Sequence, residues 1–144
     1  TESLSGSYDY QFLMRSMNPG SGSSNLDILV QTGGSTWVTS AYYYSFISNT
    51  SGNSLSASAG RLMGDIRDTS AGQMSCTVTV GGIASGDFCY WYGQGGYVET
   101  GETFAQSEFA GQYNATTAIT GIRFTTGNTW DAIGNILVYR RALA

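Results

Sequence analysis

Apolar and polar residues alternate with a period of two along much of this chain. The clearest example is Gln73–Val80, where four apolar residues are separated by Ser and Thr, namely Met74, Cys76, Val78 and Val80. Such alternation is typical of a β-strand with one buried and one exposed face. The same pattern predicts further strands at Tyr8–Met14, Leu26–Gln31, Arg61–Ile66, Asp87–Tyr92, Ala118–Thr125 and Asn135–Arg140. No long apolar pattern of period 3.6 accompanies it, so we expect an all-β chain.

Gly, Asn, Ser and Pro mark the turns between these strands. Asn18–Ser24 is the strongest such signal, and Gly33-Gly34 is typical of a tight hairpin turn. Gly93–Gly96 is expected to end the strand before it, and Asn49–Gly60 is predicted to be a long polar loop. Residues 97–114 are expected to form a short strand or an irregular segment, anchored by Phe104, Phe109 and Tyr113.

The strands and turns together predict a single antiparallel two-sheet β-sandwich of jelly-roll type, with about eight strands. The chain has 144 residues, which is typical of one domain and enough to bury a core without a metal or a disulfide. We expect residues 1–7 to be a flexible N-terminal arm and residues 8–144 to form the sandwich. The apolar last strand is predicted to close the fold.

The charge composition bears on the partners of the chain. Charged residues make up only 11% of it, the six basic residues are scattered arginines, and the net charge is −4. Phosphate binding needs clustered basic residues, so nucleic acid is not an expected partner. No apolar run is long enough for a membrane-spanning helix. Low charge together with ten tyrosines indicates a surface made for contact, because interface cores lose charge and gain aromatic residues.

The residues needed for most catalytic chemistry are missing from the sequence. Without His there is no usual general base, and without Lys there is no Schiff-base nucleophile. Two carboxylate pairs remain, Asp65 with Asp68 and Glu99 with Glu102, and we interpret both as solvated loop charges. The sequence therefore predicts no enzyme and no cofactor.

Metal and disulfide sites are not expected either. Asp131 lies near Asn128 and Asn135, but no alternating Asp/Asn run of the kind that binds calcium is present. Cys76 and Cys89 fall on the two arms of a predicted hairpin, and they would face each other if the turn were at Gly82-Ile83. Other turns separate them, and we expect free buried thiols.

Two aromatic runs, Tyr42-Tyr43-Tyr44 and Tyr90-Trp91-Tyr92, permit two interpretations. Neighbours in a strand point to opposite faces, so each run places at least one ring outside. In the first interpretation the rings divide between the core and a partner interface that contains Tyr43, Tyr44 and Trp91. In the second they form a sugar-binding platform, with Tyr42, Tyr44, Tyr90 and Tyr92.

Three arginines lie near the C-terminus. Arg123 is within a strand and is expected to pair with a carboxylate or to pack its stem on an aromatic ring. Arg140 and Arg141 end the last strand, where they are candidates for contact with an acidic partner or are simply solvated.

The C-terminal part of the chain carries a family resemblance. It contains Ile119–Phe124 with the pattern I-x-x-I-R-F, then Thr126-Gly127-Asn128, and then Gly134–Tyr139 with the pattern G-x-I-x-V-Y. This series resembles the C-terminal signature of a group of bacteriophage virion proteins of jelly-roll type. The likeness extends to Tyr8–Phe12, to Asn18-Pro19 and to Asn25–Val30 followed by Gly33–Trp37. Two positions depart from the family pattern: Arg140 stands where the pattern usually has Gly, and Thr32 stands where an acidic residue is common.

The resemblance implies a structural protein of the virion, assembled in the cytoplasm of a bacterial host. A capsid decoration or cement protein would bind the assembled head shell and stabilise contacts between capsomers. Its partners would be the major capsid protein and itself, as a homotrimer at threefold positions. The alternative is a tail-fibre or receptor-binding tip, or a lectin-like domain, that recognises carbohydrate on the bacterial surface.

Overall fold

The computed structural model describes residues 4–20, 23–34, 36–47, 52–67, 74–98, 104–127, 129–132 and 134–143. All regular structure within these ranges is β. In the same part of the chain no helix is long and apolar enough to cross a membrane. The strands are β1 Tyr8–Pro19, β2 Ser23–Gln31, β3 Tyr42–Ile47, β4 Gly52–Ala57, β5 Gly60–Arg67, β6 Met74–Gly81, β7 Tyr90–Val98, β8 Phe104–Tyr113, β9 Gly121–Thr125, β10 Trp130–Ala132 and β11 Asn135–Ala142.

These strands form two antiparallel sheets of unequal width. The large sheet has eight strands in the order β10-β1-β6-β7-β8-β3-β4, with β11 also paired to β1. The small sheet has three strands in the order β5-β2-β9. The predicted all-β sandwich is confirmed, with eleven strands among the described residues where about eight were expected. The N-terminal strands β1 and β2 pair with the C-terminal strands β11 and β9, so the two ends of the chain are joined in both sheets.

The core lies between the sheets and is built from the apolar positions of the alternating patterns. β1, β2 and β6 contribute the sets predicted from sequence, namely Tyr10, Phe12, Met14, Leu26, Ile28, Val30, Cys76, Val78 and Val80. The indole of Trp91 is the largest buried side chain and lies over the backbone of Gly60 and Gly111. Neither glycine leaves room for a Cβ atom, which accounts for the missing side chain at both positions.

The other face of the large sheet is here called the outer face. Its positions follow from the register: Gln11, Thr79, Tyr92 and Ala110 form one row across β1, β6, β7 and β8. Because the small sheet packs on the opposite side, these side chains point away from the core. The outer face is therefore the broad solvent-facing surface of the molecule.

The prediction that Gly93–Gly96 ends a strand is wrong. These residues lie in the middle of β7, paired with β6 on one side and β8 on the other. A Cβ at Gly93 would meet the carbonyl of Thr77, and a Cβ at Gly95 would meet Cys76 and Met63. Glycine here permits close packing by neighbouring strands, which is its other role in sheets besides turning the chain.

Three further segments differ from the prediction. Residues 104–113, expected to be short or irregular, form the ten-residue strand β8; Phe109 and Tyr113 are buried as expected, but Phe104 is 71% exposed. The predicted loop Asn49–Gly60 contains β4, which pairs with β3. The breaker at Asn18–Ser24 is shorter than expected, because Asn18 and Pro19 still belong to β1 and Ser23 already begins β2.

Part of the predicted arm contacts the folded chain. Leu4 packs against the core, and the amide of Ser5 donates a hydrogen bond of 2.8 Å to the hydroxyl of Tyr10. Residues 1–3 lie outside the described part, as do Asp68, Glu99, Glu102 and Asn128. The side chains of Asp65 and Asp131 also lie outside it.

The two cysteines are free and buried, as expected. Cys76 is paired with Gly95 in the ladder, while Cys89 precedes β7, so the register does not place the two thiols opposite each other. Burial raises the pKa of each thiol to about 12. A thiol with such a pKa is protonated at neutral pH and is a poor nucleophile.

Candidate functional site

The structure places two of the predicted site residues in the core. Tyr42 and Trp91 are 0% and 1% exposed, and their ring centroids are 6.1 Å apart. The Tyr42 hydroxyl accepts a hydrogen bond from the amide of Val30 and donates one to the carbonyl of Val38, both at 2.9 Å. Trp91 is therefore not available to a partner, and Tyr42 is not available to a sugar.

Tyr43 and Tyr44 are both half-buried but lie on opposite faces of β3. The hydroxyl of Tyr43 accepts a hydrogen bond of 2.9 Å from the side-chain amide of Asn114. The ring of Tyr44 lies 6.4 Å from that of Phe46 and packs against the core. Only Tyr43 of this run reaches the outer face.

The second aromatic run supplies the exposed rings. Tyr90 and Tyr92 are 40% and 50% exposed, and they lie together on the outer face because they are two residues apart in β7. Their rings are nearly parallel, with centroids 6.4 Å apart and planes 13° apart. Desolvation, with a contribution from the negative charge of Asp9, raises the pKa of Tyr90. The structure thus brings together two of the four residues predicted for a sugar platform.

A shallow groove of about 660 Å³ runs beside Tyr92 across the middle of the outer face. Its principal polar side chains come from five strands and are Gln11, Ser45, Thr79, Tyr92, Gln94 and Glu108. A second cavity of about 180 Å³ lies toward β11 and shares Gln11, Thr79 and Tyr92 with the first. We call the two together the sheet-face groove.

The sequence did not predict Gln11, Gln94 or Glu108 as site residues. The alternation in β1 does indicate that Gln11 points outward, because it lies between two buried positions. Gln94 lies in the glycine run that was expected to be a turn, and Glu108 in a segment expected to be irregular. The register that pairs Gln94 with Glu108 depends on contacts between separate strands, which no local pattern contains.

The C-terminal strand β11 forms the other candidate surface. All eight of its residues are exposed, and apolar side chains occupy both of its faces. The exposed fractions are 41% for Ile136, 42% for Leu137, 45% for Val138 and 53% for Tyr139. Among the described residues the large sheet has more strands than the small one, and the side chains on the inner side of this edge, Ile136 and Val138, stay more than 40% exposed. The last strand was predicted to close the fold; instead β11 extends the large sheet beside β1 at its edge and adds no buried side chain to the core.

The C-terminal arginines have partners within the chain. The guanidinium of Arg141 lies 3.0 Å from the nearly buried carboxylate of Asp9, and that of Arg140 lies 5.1 Å from the ring centroid of Tyr8. Both contacts join β11 to β1. Arg123 lies 5.9 Å from the ring centroid of Trp37, which is the aromatic alternative of the two predicted for it.

No protein-family model, curated protein or solved structure matches this chain. The features that bear on its function are therefore these two surfaces and the residues of the chain itself.

Proposed function

We propose that this chain is a structural protein of a bacteriophage virion that binds the assembled head shell and bridges neighbouring capsomers. The observation that carries the proposal is β11, an edge strand with exposed apolar side chains on both faces. An exposed, apolar edge strand is an aggregation hazard in a monomer unless something covers it. A binding partner would remove that hazard, so we assign the edge to contact with the shell.

The chemistry of the edge fits strand addition. Among the described strands, β11 pairs only with β1, so its outward backbone groups are available to another chain. A strand of the major capsid protein could continue the sheet by hydrogen bonding to these groups, while apolar side chains contact it above and below. Arg140 and Arg141 hold β11 on β1 and so present the edge in a fixed geometry.

Two features of the sequence support placement in a virion. The C-terminal signature that includes Ile119–Phe124 and Gly134–Tyr139 resembles that of phage virion proteins. Charged residues make up only 11% of the chain, which lowers the cost of desolvating a contact surface. On a symmetric shell the chain would act as a homotrimer at threefold positions, where each weak contact is repeated many times.

The first experiment locates the chain in particles of the source virus. Gold-labelled antibody against the chain is expected over the whole head shell in electron micrographs. Gold confined to the tail would contradict the proposal and favour a role in recognising the host surface. An absence of label from every particle would reject both virion roles.

The second experiment tests the edge strand itself. Val138→Lys places a charge on β11 and is expected to abolish co-sedimentation of the chain with purified heads that lack it. Ile47→Lys is the matched control, since Ile47 is 65% exposed on β3, away from the edge that β11 forms. Far-UV circular dichroism establishes that both variants fold. Equal binding by the two variants would contradict the assignment of the edge, and light scattering tests for a mass three times the 15.3 kDa of one chain.

A further inference from the structure

The sheet-face groove has a chemistry that differs from that of β11. Most of its polar lining residues are neutral hydrogen-bonding side chains: Gln11, Ser45, Thr79 and Gln94. Glu108 is the one carboxylate of the larger cavity, and among the described residues no basic side chain lines that cavity. The smaller cavity adds one carboxylate and two guanidinium groups, from Asp9, Arg140 and Arg141, so the charges of the two cavities balance. Asp9 and Arg141 are already paired with each other at 3.0 Å. The larger cavity has a volume of about 660 Å³, which falls within the usual range for small-ligand sites.

The position of the groove in the sheet limits what can bind there. β6 and β7 run through its centre, and each is paired on both sides. Their backbone groups are used within the sheet, so a peptide cannot bind there by adding a strand. Recognition must come from side chains alone. In the larger cavity an anionic group would meet Glu108 without a compensating cation, which disfavours phosphate and acidic groups there. In the smaller cavity Arg141 is already paired with Asp9, and Arg140 packs on the ring of Tyr8.

The register places an aromatic ring next to a pair of polar side chains. Gln94 faces Glu108 on the neighbouring strand, and Tyr92 precedes Gln94 by two residues on the same face. Neighbouring strands are about 4.8 Å apart and alternate residues of one strand about 7 Å apart, so the three side chains surround a space of roughly one sugar ring. A pyranose offers an apolar C–H face to an aromatic ring and hydroxyls to amide and carboxylate groups.

The two cavities on either side of Tyr92 indicate a ligand longer than one ring. They share Gln11, Thr79 and Tyr92, so a chain of two or more units can pass over Tyr92 and contact both. The near-parallel ring of Tyr90 extends the aromatic surface along β7. We propose that the sheet-face groove binds a short neutral oligosaccharide, with Tyr92 stacking on a sugar ring and Gln11, Gln94 and Glu108 bonding to hydroxyls. The larger cavity shares no residue with β11, whereas the smaller one is lined in part by Tyr139, Arg140 and Arg141 of that strand; Val138 lines neither cavity.

The test is a nuclear magnetic resonance titration of the isotope-labelled full chain with neutral disaccharides that differ in sugar and linkage: maltose, cellobiose, lactose and chitobiose. At least one is expected to shift backbone amide signals at Tyr92, Gly93, Gln94 and Glu108. Tyr92→Ala is expected to weaken binding about tenfold, and Tyr92→Phe to retain most of it, because the ring face remains. Phe88→Ala removes a ring that is equally exposed but does not line the groove, and should leave binding unchanged.

Several results would overturn the proposal. They are shifts that lie only outside the groove, equal weakening by Phe88→Ala and Tyr92→Ala, and no shift with any of the four sugars at millimolar concentration. Binding of an anionic sugar such as glucuronic acid, with none of the neutral ones, would also overturn it. The chain with Val138→Lys should still bind, so failure of the sugar site is distinguishable from failure of the shell contact.

Discussion

At the scale of single residues, the hydroxyl of Tyr42 holds two segments of the chain together. It accepts from the amide of Val30 and donates to the carbonyl of Val38 within the core. Tyr42→Phe leaves a buried donor and a carbonyl without this partner and is expected to lower the free energy of unfolding by about 1–3 kcal/mol. Urea denaturation measures the change. Tyr43→Phe, which removes a hydroxyl bonded at the exposed Asn114, should cost no more than about 0.5 kcal/mol. Equal losses would contradict this assignment.

The second prediction at this scale concerns the packing of the Trp91 indole against Gly111. A Cβ at Gly111 would overlap the ring of Trp91 and the carbonyl of Tyr43, neither of which can move freely. Gly111→Ala is therefore expected to destabilise the chain by about 1–3 kcal/mol through overpacking. Gly127→Ala is the matched control, since no atom lies within 4 Å of a Cβ at that position. Thermal denaturation compares the two variants, and similar melting temperatures would rule out tight packing of Trp91 on β8.

At the scale of elements, β11 is held to the sheet by its ladder with β1 and by its arginines. Asp9 has a nearly buried carboxylate, and Arg141 is its ion-pair partner at 3.0 Å. Arg141→Ala leaves that carboxylate without this cation, so β11 should open more often. We expect amide hydrogen exchange along Asn135–Ala142 to become faster, while exchange in β7 stays unchanged. Arg123→Ala is the control, because Arg123 contacts Trp37 instead. Unchanged exchange in β11 would show that the ladder alone holds it.

The elements also differ in how far sequence could predict them. β2 and β6 follow clean alternation, because their buried and exposed faces are distinct along their whole length. The sequence predicts that β7 ends at Tyr92, because the glycines that follow usually indicate a turn. In the structure Gly93 and Gly95 lie within the strand, where they leave space for Phe109 and Met63. Phe104 was expected inside because it is aromatic, but its strand position directs it to the outer face.

At the scale of the whole molecule, the buried thiols and Tyr42 are expected to make the free energy of unfolding fall at alkaline pH. Burial raises the pKa of Cys76 and Cys89 from 9.0 to about 12, and that of Tyr42 from 10.0 to about 12. The folded chain keeps protons that the unfolded chain releases, so this stability is fully present below pH 9 and is lost as the pH rises toward about 12. Each group contributes a slope of at most about 1.4 kcal/mol per pH unit.

Urea midpoints measured from about pH 7 to about pH 11 test this dependence. They should be nearly constant at first and then fall. A Cys76→Ala, Cys89→Ala double variant is expected to be less stable at every pH, because it leaves cavities, but to lose stability more slowly above pH 9. The same steepness in the double variant and the original chain would exclude the thiols as the cause.

The sequence by itself determined the structural class, most strand positions and, for the clean strands, which side chains face the core, because alternation of period two is a local property. It also indicated a low-charge surface for contact. Only the tertiary structure decided which strands are neighbours and in what register. That register buried Trp91 and Tyr42, left both faces of β11 exposed, and brought Gln11, Gln94 and Glu108 to Tyr92. Strand pairing joins residues far apart in the chain, so the two candidate surfaces exist only in the folded molecule.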